Sequence, residues 1–342
     1  MARNGPDDEG QYFQMESEFC FESRNNSCLK RSYPLPIRVC LYISIGVIII
    51  LTVCGNLLVT FTVAYFKQLH TPTNYLIFSL AMSDLLLGSL VMVPGMIRVI
   101  ESCWYFGDFF CKVCISIDIM LVTASIINLA FISIDRYYAV CQPLLYRTKM
   151  STRVVLIMVL LCWSISPIMG FGLVFFNLNT FGMEDSHYKQ YVCEGRCSMT
   201  QGKLAGTLST LVCFYMPGVI LLGVYMKIFL VAKKQFHSIH NASAVKMSNT
   251  NQTKATKTLA IILGGFLSFW SPFFICNLVY PYVDYSVPRE LYSAFGWLGF
   301  LNSTVNPMIY AFFYSWFRKA FRLVISGKIF KSDLSDMILF TE

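Results

Sequence analysis

The sequence predicts an all-α membrane protein, a seven-transmembrane helix bundle followed by a short amphipathic eighth helix. Three observations predict it. Of the 342 residues, 56% are hydrophobic and only 13% charged, with a mean hydropathy of +0.57, which is outside the range of ordinary soluble domains. Runs almost free of charge and long enough to cross a bilayer, which takes ~20 residues, occur near 39–65, 75–97, 113–134, 154–176, 204–226, 258–280 and 291–314. The loop charges then separate by side. Asp108, Glu184, Asp185, Glu194, Asp284 and Glu290 follow spans two, four and six, whereas Lys67, Arg147, Lys149, Arg153, Lys233, Lys234, Lys246, Lys254, Lys257, Arg318, Lys319 and Arg322 lie on the other side.

Basic loops stay in the cytoplasm, so the N-terminus is expected outside a plasma membrane that the chain crosses many times. Residues 1–37 form an extracellular tail, 38–314 the seven-helix domain, and 315–342 the amphipathic helix and cytoplasmic tail. The tail is acidic, as in Asp7-Asp8-Glu9, and has no apolar core ahead of a small-residue cleavage site, so the first span is expected to act as its own insertion signal. The formal net charge of +8 is mainly an inner-face signature suited to anionic lipid headgroups. No basic, aromatic domain stands apart from the membrane, so nucleic acid is not an expected partner.

Along the spans, the polar exceptions carry the information, because a polar group in hydrocarbon marks either helix packing or function. Span one has Asn56, span two Asp84, span three Asp118, Ser125 and Asp135-Arg136, and span seven Asn302, Ser303 and Asn306. Asp84 with several hydroxyl and amide oxygens makes a hard-cation site as well as it makes a packing cluster. Prolines at 94, 167, 217, 272 and 307 bend their helices, since each removes a backbone hydrogen bond. Trp270-Ser271-Pro272 and Asn306-Pro307 place a bulky or polar side chain beside the weak point, which makes them candidate hinges. After span seven, SWFRKAFRLV puts Trp316, Phe317, Ala320, Phe321 and Val324 on one side and Arg318, Lys319 and Arg322 on the other, the pattern of a helix lying on the inner leaflet.

Asp118 is seven residues inward of Cys111, or ~10 Å at the helical rise, too deep to reach bulk water by snorkelling. The nearest basic residues, Arg98, Lys112 and Lys203, lie near span ends. An anion without an internal cation suggests a cation that arrives from outside. Trp270, Phe273, Phe274, Trp297 and Phe300 could receive its ammonium group through their ring faces. Asp135 lies 17 residues further on, ~25 Å along the helix, where Arg136 can pair with it at the inner boundary. Cys20, Cys28, Cys103, Cys111, Cys193 and Cys197 fall on the outer side, an even number in an oxidising compartment, and sequence alone does not choose among their pairings. Asn25-Asn26-Ser27 is a glycosylation sequon on the outer tail. The matches at Asn241, Asn251 and Asn302 fall inside the cell or the membrane on this topology and are read as chance.

These motifs stand together in order. Asn56 in GN, Asp84 in LAMSD, Cys111 heading span three, Asp135-Arg136-Tyr137, Trp163, Trp270 to Pro272 and the NPMIY run from Asn306 to Tyr310 resemble a class A (rhodopsin-like) G-protein-coupled receptor from end to end. FKQLHTPTNYLI, CWYFGDFFCK, SIDRYYAVCQPLLY and LNSTVNPMIYAFFYSWFRKAF resemble the trace amine-associated receptors. The resemblance implies that Asp118 binds a protonated amine, with Ile119, Val122 and Ser209 beside it and Trp270, Phe273, Phe274, Trp297 and Phe300 as aromatic floor and wall. It implies a switch at Asp135, Arg136, Tyr137, Asn306, Pro307 and Tyr310, and a heterotrimeric G protein of a stimulatory or olfactory type as partner. It further implies a sodium pocket at Asp84, Ser125, Asn302, Ser303 and Asn306, no other cofactor, and the pairings Cys111–Cys197, Cys20–Cys193 and Cys28–Cys103.

Three features depart from the aminergic pattern: Phe300 where a tyrosine usually partners the aspartate, Ser209, Thr210 and Cys213 in place of a catechol-gripping serine set, and Phe269 before Trp270. The rival ligand is a neurotransmitter amine such as serotonin. A transporter would need an internal repeat that is not evident, and a retinal receptor would need a lysine in span seven. No metal-ligand or nucleophile–base set points to an enzyme.

Overall fold

A computed structural model describes residues 19–30, 33–181, 193–239, 246–283 and 286–327. Asp7-Asp8-Glu9, Glu184, Asp185, Asn241, Asp284 and the tail beyond 327 lie outside them, as do the side chains of Lys234, Lys246, Asn251, Lys254 and Lys257. The helices among the described residues are α1 (Leu35–Tyr65), α2 (Pro72–Ile100), α3 (Asp108–Cys141), α4 (Pro143–Lys149), α5 (Thr152–Phe175), α6 (203–239), α7 (Lys246–Val279), α8 (Arg289–Phe313) and α9 (Ser315–Ile325). Because α4 is a short connection with no buried residue, the seven spans are α1, α2, α3, α5, α6, α7 and α8, and the amphipathic eighth is α9.

Six of the spans are long and apolar enough to cross a membrane by composition alone. The seventh, α8, has 25 residues, ~37 Å of helix, but is diluted by Asn302, Ser303, Thr304 and Asn306. All four are buried, so its polar groups turn away from lipid, and α8 packs on α7, α1 and α2. Large apolar side chains such as Ile43, Leu160, Ile168, Val219 and Phe229 are exposed instead, as hydrocarbon solvent permits. The inner end of α7 starts at Lys246 rather than near 258, so the helix continues beyond its apolar stretch.

Local chemistry explains the breaks. Thr71 caps α2 by accepting from the Asn74 amide at 3.3 Å, with Pro72 at the first position, where a missing N–H costs nothing. Ahead of Pro94 and Pro217 the helices widen into π-type turns, Leu87–Met92 and Leu211–Tyr215. Such turns accommodate a proline ring that the tighter ladder would push against. Arg318 on α9 donates to the carbonyls of Ala311 (3.0 Å) and Phe312 (2.9 Å), satisfying the open end of α8. Trp316, Phe317 and Ala320 seat α9 on the bundle, whereas Phe321 is 47% exposed, so the apolar side of α9 divides between protein and surroundings.

One end of the bundle is stapled by three disulfides, and here two expected pairings are corrected. Cys111 joins Cys197 as expected, but Cys20 joins Cys103 and Cys28 joins Cys193, in place of Cys20–Cys193 and Cys28–Cys103. The backbone dictates the exchange. The tail folds back on itself through Cys20 N–H to Cys28 O (2.9 Å), and residues 26–28 then run beside Glu194, with Cys28 N–H donating to Glu194 O at 2.9 Å. That register sets Cys28 against Cys193. Gly195, at φ +91°, places its backbone where a Cβ would meet Cys20 Cβ at 2.6 Å, leaving Cys20 over the loop that carries Cys103 and Trp104. An ion pair between Arg24 and Glu194 at 2.5 Å closes the same strip.

Candidate functional site

Beneath this cap a cavity of about 260 Å³ opens between α2, α3, α6, α7 and α8. All nine residues expected at the ligand site line it: Asp118, Ile119, Val122, Ser209, Trp270, Phe273, Phe274, Trp297 and Phe300. Among the described residues Asp118 is the only carboxylate in the lining, and it makes no hydrogen bond or salt bridge with any of them. Its α3 position follows from the Cys111–Cys197 bridge, which pins the helix end to the loop over the cavity.

Aromatic rings form the floor. Trp270 meets Phe300 edge to face at 5.9 Å, Phe273 at 5.9 Å and Phe274 at 5.8 Å, while Trp297 meets Phe300 at 5.5 Å. Phe214 from the widened turn of α6 stacks on Phe274 at 4.2 Å, so the floor couples α6, α7 and α8. Ring edges and faces arranged in this way attract one another and present electron-rich faces to a cation.

The residues missed from sequence are polar and sit higher. Tyr292 is two helical turns from Phe300, and both line the cavity with Gly296 between them. The Tyr292 hydroxyl donates to Asn277 Oδ1 at 3.0 Å, and Asn277 Nδ2 donates to Thr210 Oγ1 at 3.0 Å. A polar thread thus joins α8, α7 and α6 above the rings. Its periodic signal was legible as positions 292, 296 and 300 on one face, but a tyrosine near a span end reads equally as an interface anchor. Arg98, Arg196 and Arg289 also line the cavity, although the sequence places Arg98 near a span end and singles out neither Arg196 nor Arg289.

Halfway down the bundle, Asp84 accepts from Ser303 Oγ at 2.7 Å and Asn306 Nδ2 at 2.8 Å, with Ser125 Oγ at 3.5 Å and Ser83 bonded to Ser125 at 3.1 Å. Asn302 is buried on the same stretch, but no hydrogen bond joins it to Asp84 among the described residues. Ser83 takes a place in this cluster that sequence reasoning left unfilled. Among the described residues Asn306 Oδ1 and the Tyr310 hydroxyl are buried without a hydrogen-bond partner, and an orphaned oxygen on Asn306, which also bonds the Asp84 carboxylate, fits a small hydrated cation. Asn56 bonds instead to the carbonyls of Thr52 (2.9 Å) and Ser303 (3.0 Å), a tie between α1 and α8.

At the far end of α3, Arg136 Nε donates to Asp135 Oδ2 at 2.8 Å. Thr73 Oγ1 and the Tyr146 hydroxyl each donate to the same carboxylate at 2.9 Å, and Arg136 also donates to Thr73. The fully buried Asp135 is therefore held from α2, α3 and α4 at once. Tyr137 faces elsewhere, its ring 5.2 Å from Lys227 Nζ on α6. Pro307 packs where a Cβ on Gly55 would come within 2.9 Å, seating α1 closely against α8. Trp163 Nε1 donates to Ser79 Oγ at 3.0 Å, joining α5 to α2.

An outer cavity, a central polar cluster and an inner ion pair on one seven-helix frame invite comparison with known proteins. The model of the 7 transmembrane receptor (rhodopsin family) matches residues 55–310. The chain is 47% identical over 333 residues to Trace amine-associated receptor 1 of Homo sapiens, covering 95% of this chain and 98% of that protein. It is 46% identical over 333 residues to Trace amine-associated receptor 1 of Macaca mulatta, with the same coverage of 95% and 98%. It is 45% identical over 329 residues to Trace amine-associated receptor 4 of Mus musculus, covering 94% of each chain. The chain belongs to the trace amine-associated receptor family. This trace amine-associated receptor is accordingly a multi-pass plasma-membrane G-protein-coupled receptor and not an enzyme.

Proposed function

We propose that the receptor binds a small protonated amine at Asp118 and passes that event to a heterotrimeric G protein of the stimulatory, cAMP-raising type. The observation that carries the reading is the Asp118 carboxylate, alone of its charge in a cavity with an aromatic floor and without a hydrogen bond to any described residue. An ammonium group supplies the missing cation, and Trp270 and Phe300 supply faces for the alkyl or aryl remainder. Ser209, Thr210 and Cys213 line the opposite wall and offer too few hydroxyls in sequence to grip a catechol. The trace amine-associated relatives favour a trace or volatile amine over a neurotransmitter amine.

The mechanism is a population shift. The amine must bind the signalling arrangement better than the resting one, since equal affinity moves nothing. The resting arrangement is the one in which Arg136 is held by Asp135. A ligand that presses on Trp270 acts on the Phe214, Phe274 and Phe300 contacts and hence on the Pro272 bend of α7. Opening α7 at the inner end frees Arg136 for a G-protein helix, with Tyr310 moving beside it.

On this reading the N-terminus is extracellular, Asn25, exposed in a turn, carries a glycan, and the basic inner face contacts anionic lipid. Asp84, Ser125, Ser303 and Asn306 would hold a sodium ion, with Asn302 at its margin; the ion would supply positive charge that stabilises the resting state. The test is amine-evoked cAMP in cells expressing Asp118→Ala. Leaving a buried charge unpaired costs roughly 3–5 kcal/mol, so potency should fall by about 10² to 10³ or more. Unchanged potency at equal surface expression rejects the proposal.

A further inference from the structure

The cavity that holds Asp118 also holds three guanidinium groups. Arg98 comes from α2, Arg196 from the loop beside Cys197, and Arg289 from the start of α8. Among the lining residues there is one acid and three bases, more positive charge than an ammonium group alone calls for. Arg289 donates to the carbonyls of Ser102 (3.2 Å) and Arg98 (3.1 Å), which fixes its position and leaves its charge in place. The Arg98 guanidinium makes no hydrogen bond or salt bridge with any described residue. The nearest acid along the chain, Glu101 just past the end of α2, is occupied by Arg38 and Tyr42 at 2.6 Å each. The Arg98 charge is therefore not cancelled within α2.

Depth separates Arg196 from Asp118. Arg196 adjoins Cys197, whose Cα is 5.6 Å from that of Cys111, and Cys111 is seven residues above Asp118, ~10 Å along the helix. A ligand with its ammonium on Asp118 thus extends its other end toward guanidinium groups, whose planar forks match carboxylate, sulfonate or phosphate oxygens. We infer that the preferred ligand is a zwitterion, an amine carrying an anionic group several bonds away, with the ammonium at Asp118 and the anion at the Arg98, Arg196 and Arg289 rim. The inference rests on the amine reading of Asp118 and narrows it to a chemical class.

Three probes of one chain length test it: hexylamine, hexamethylenediamine and ω-aminohexanoic acid, applied to cells expressing the full chain, with G-protein activation as readout. The acid should exceed hexylamine in potency by roughly 10- to 100-fold, the scale of one charge-assisted hydrogen bond, and the diamine should be weakest. Arg98→Gln should shrink the acid's advantage about tenfold, Arg98→Lys should keep most of it, and Arg98→Glu should reverse the order in favour of the diamine. Surface expression of each variant is measured alongside. If the diamine or hexylamine equals the acid while all responses still need Asp118, the zwitterion inference fails and the amine site stands. The inference fails in the same way if the acid is silent where another amine acts through Asp118, or if Arg98→Gln and Arg289→Gln leave the potency ratio unmoved. Responses indifferent to Asp118→Asn reject the amine site itself, and the inference with it.

Discussion

Gly299 on α8 lies directly against the indole of Trp270 on α7: a Cβ built on the glycine would sit 2.6 Å from Cε3 and 2.7 Å from Cζ3. No real side chain tolerates that spacing, and the indole is held on its other sides by Phe266, Phe273 and Phe274. The absent side chain is therefore what lets the rigid floor of the cavity touch α8. Gly299→Ala should cost about 1–3 kcal/mol as overpacking, lowering the melting temperature of the purified receptor and altering basal signalling. Gly296→Ala is the control, since its Cβ would meet Phe273 at an ordinary 3.8 Å. Equal melting temperatures for the two variants would show that the Trp270 contact is not constraining.

The inner ion pair gives a graded prediction. Asp135 accepts from Tyr146 and Thr73 at 2.9 Å as well as from Arg136. Removing one neutral donor with Tyr146→Phe forfeits about 0.5–1.5 kcal/mol, equivalent to a roughly 2- to 10-fold shift in a two-state equilibrium. Ligand-free signalling should therefore rise modestly in Tyr146→Phe and further in Asp135→Asn, where Arg136 loses its charged partner. Basal nucleotide exchange in membranes measures both. A lower basal rate in Asp135→Asn than in the native receptor would contradict the resting role of the pair.

The central cluster yields a salt experiment. With Asp84 between Ser303 (2.7 Å) and Asn306 (2.8 Å), sodium that favours the resting state should reduce amine affinity as its concentration rises. Potassium at equal ionic strength serves as the control for screening. Asp84→Asn should abolish the sodium-specific part, because the amide cannot supply the anionic ligand a hard cation prefers. An equal response to sodium and potassium in the native receptor would remove sodium from the mechanism.

What was legible in the sequence and what was not divides by range of interaction. The spans, their proline bends and the deep position of Asp118 depend on composition and helical rise, and these were legible residue by residue. The aromatic floor was legible too, because Trp270, Phe273, Phe274, Trp297 and Phe300 repeat at helical spacing on two helices. The disulfide exchange was not, since the choice between Cys103 and Cys193 for Cys20 depends on how residues 26–28 pair with Glu194, a contact between segments more than 160 residues apart. The arginine rim was hidden for a related reason: Arg98 and Arg289 look like separate span-end charges and Arg196 like a loop charge until the helices and the loop converge. Peptide mapping without reduction should recover Cys20 linked to Cys103 and Cys28 to Cys193, and the opposite links would restore the pairing expected from resemblance.

A last prediction concerns acid stability at the capped end. Glu101, just past α2, is held below the ordinary carboxylate range, first by the Tyr42 hydroxyl and then, against the opposing effect of burial, by Arg38. A depressed carboxyl contributes stability that is present above its unfolded pKa, about 4.3, and is lost as pH falls through its lower folded value. Glu101→Gln should therefore melt at a lower temperature than the native receptor at neutral pH. The gap should close as the medium is acidified below the unfolded pKa. Because Arg38 and Glu101 are partly exposed, with 35% and 26% of their side-chain surface accessible, high salt should also narrow the neutral-pH gap. A gap that persists unchanged in acid would mean that Glu101 acts through packing rather than through its charge.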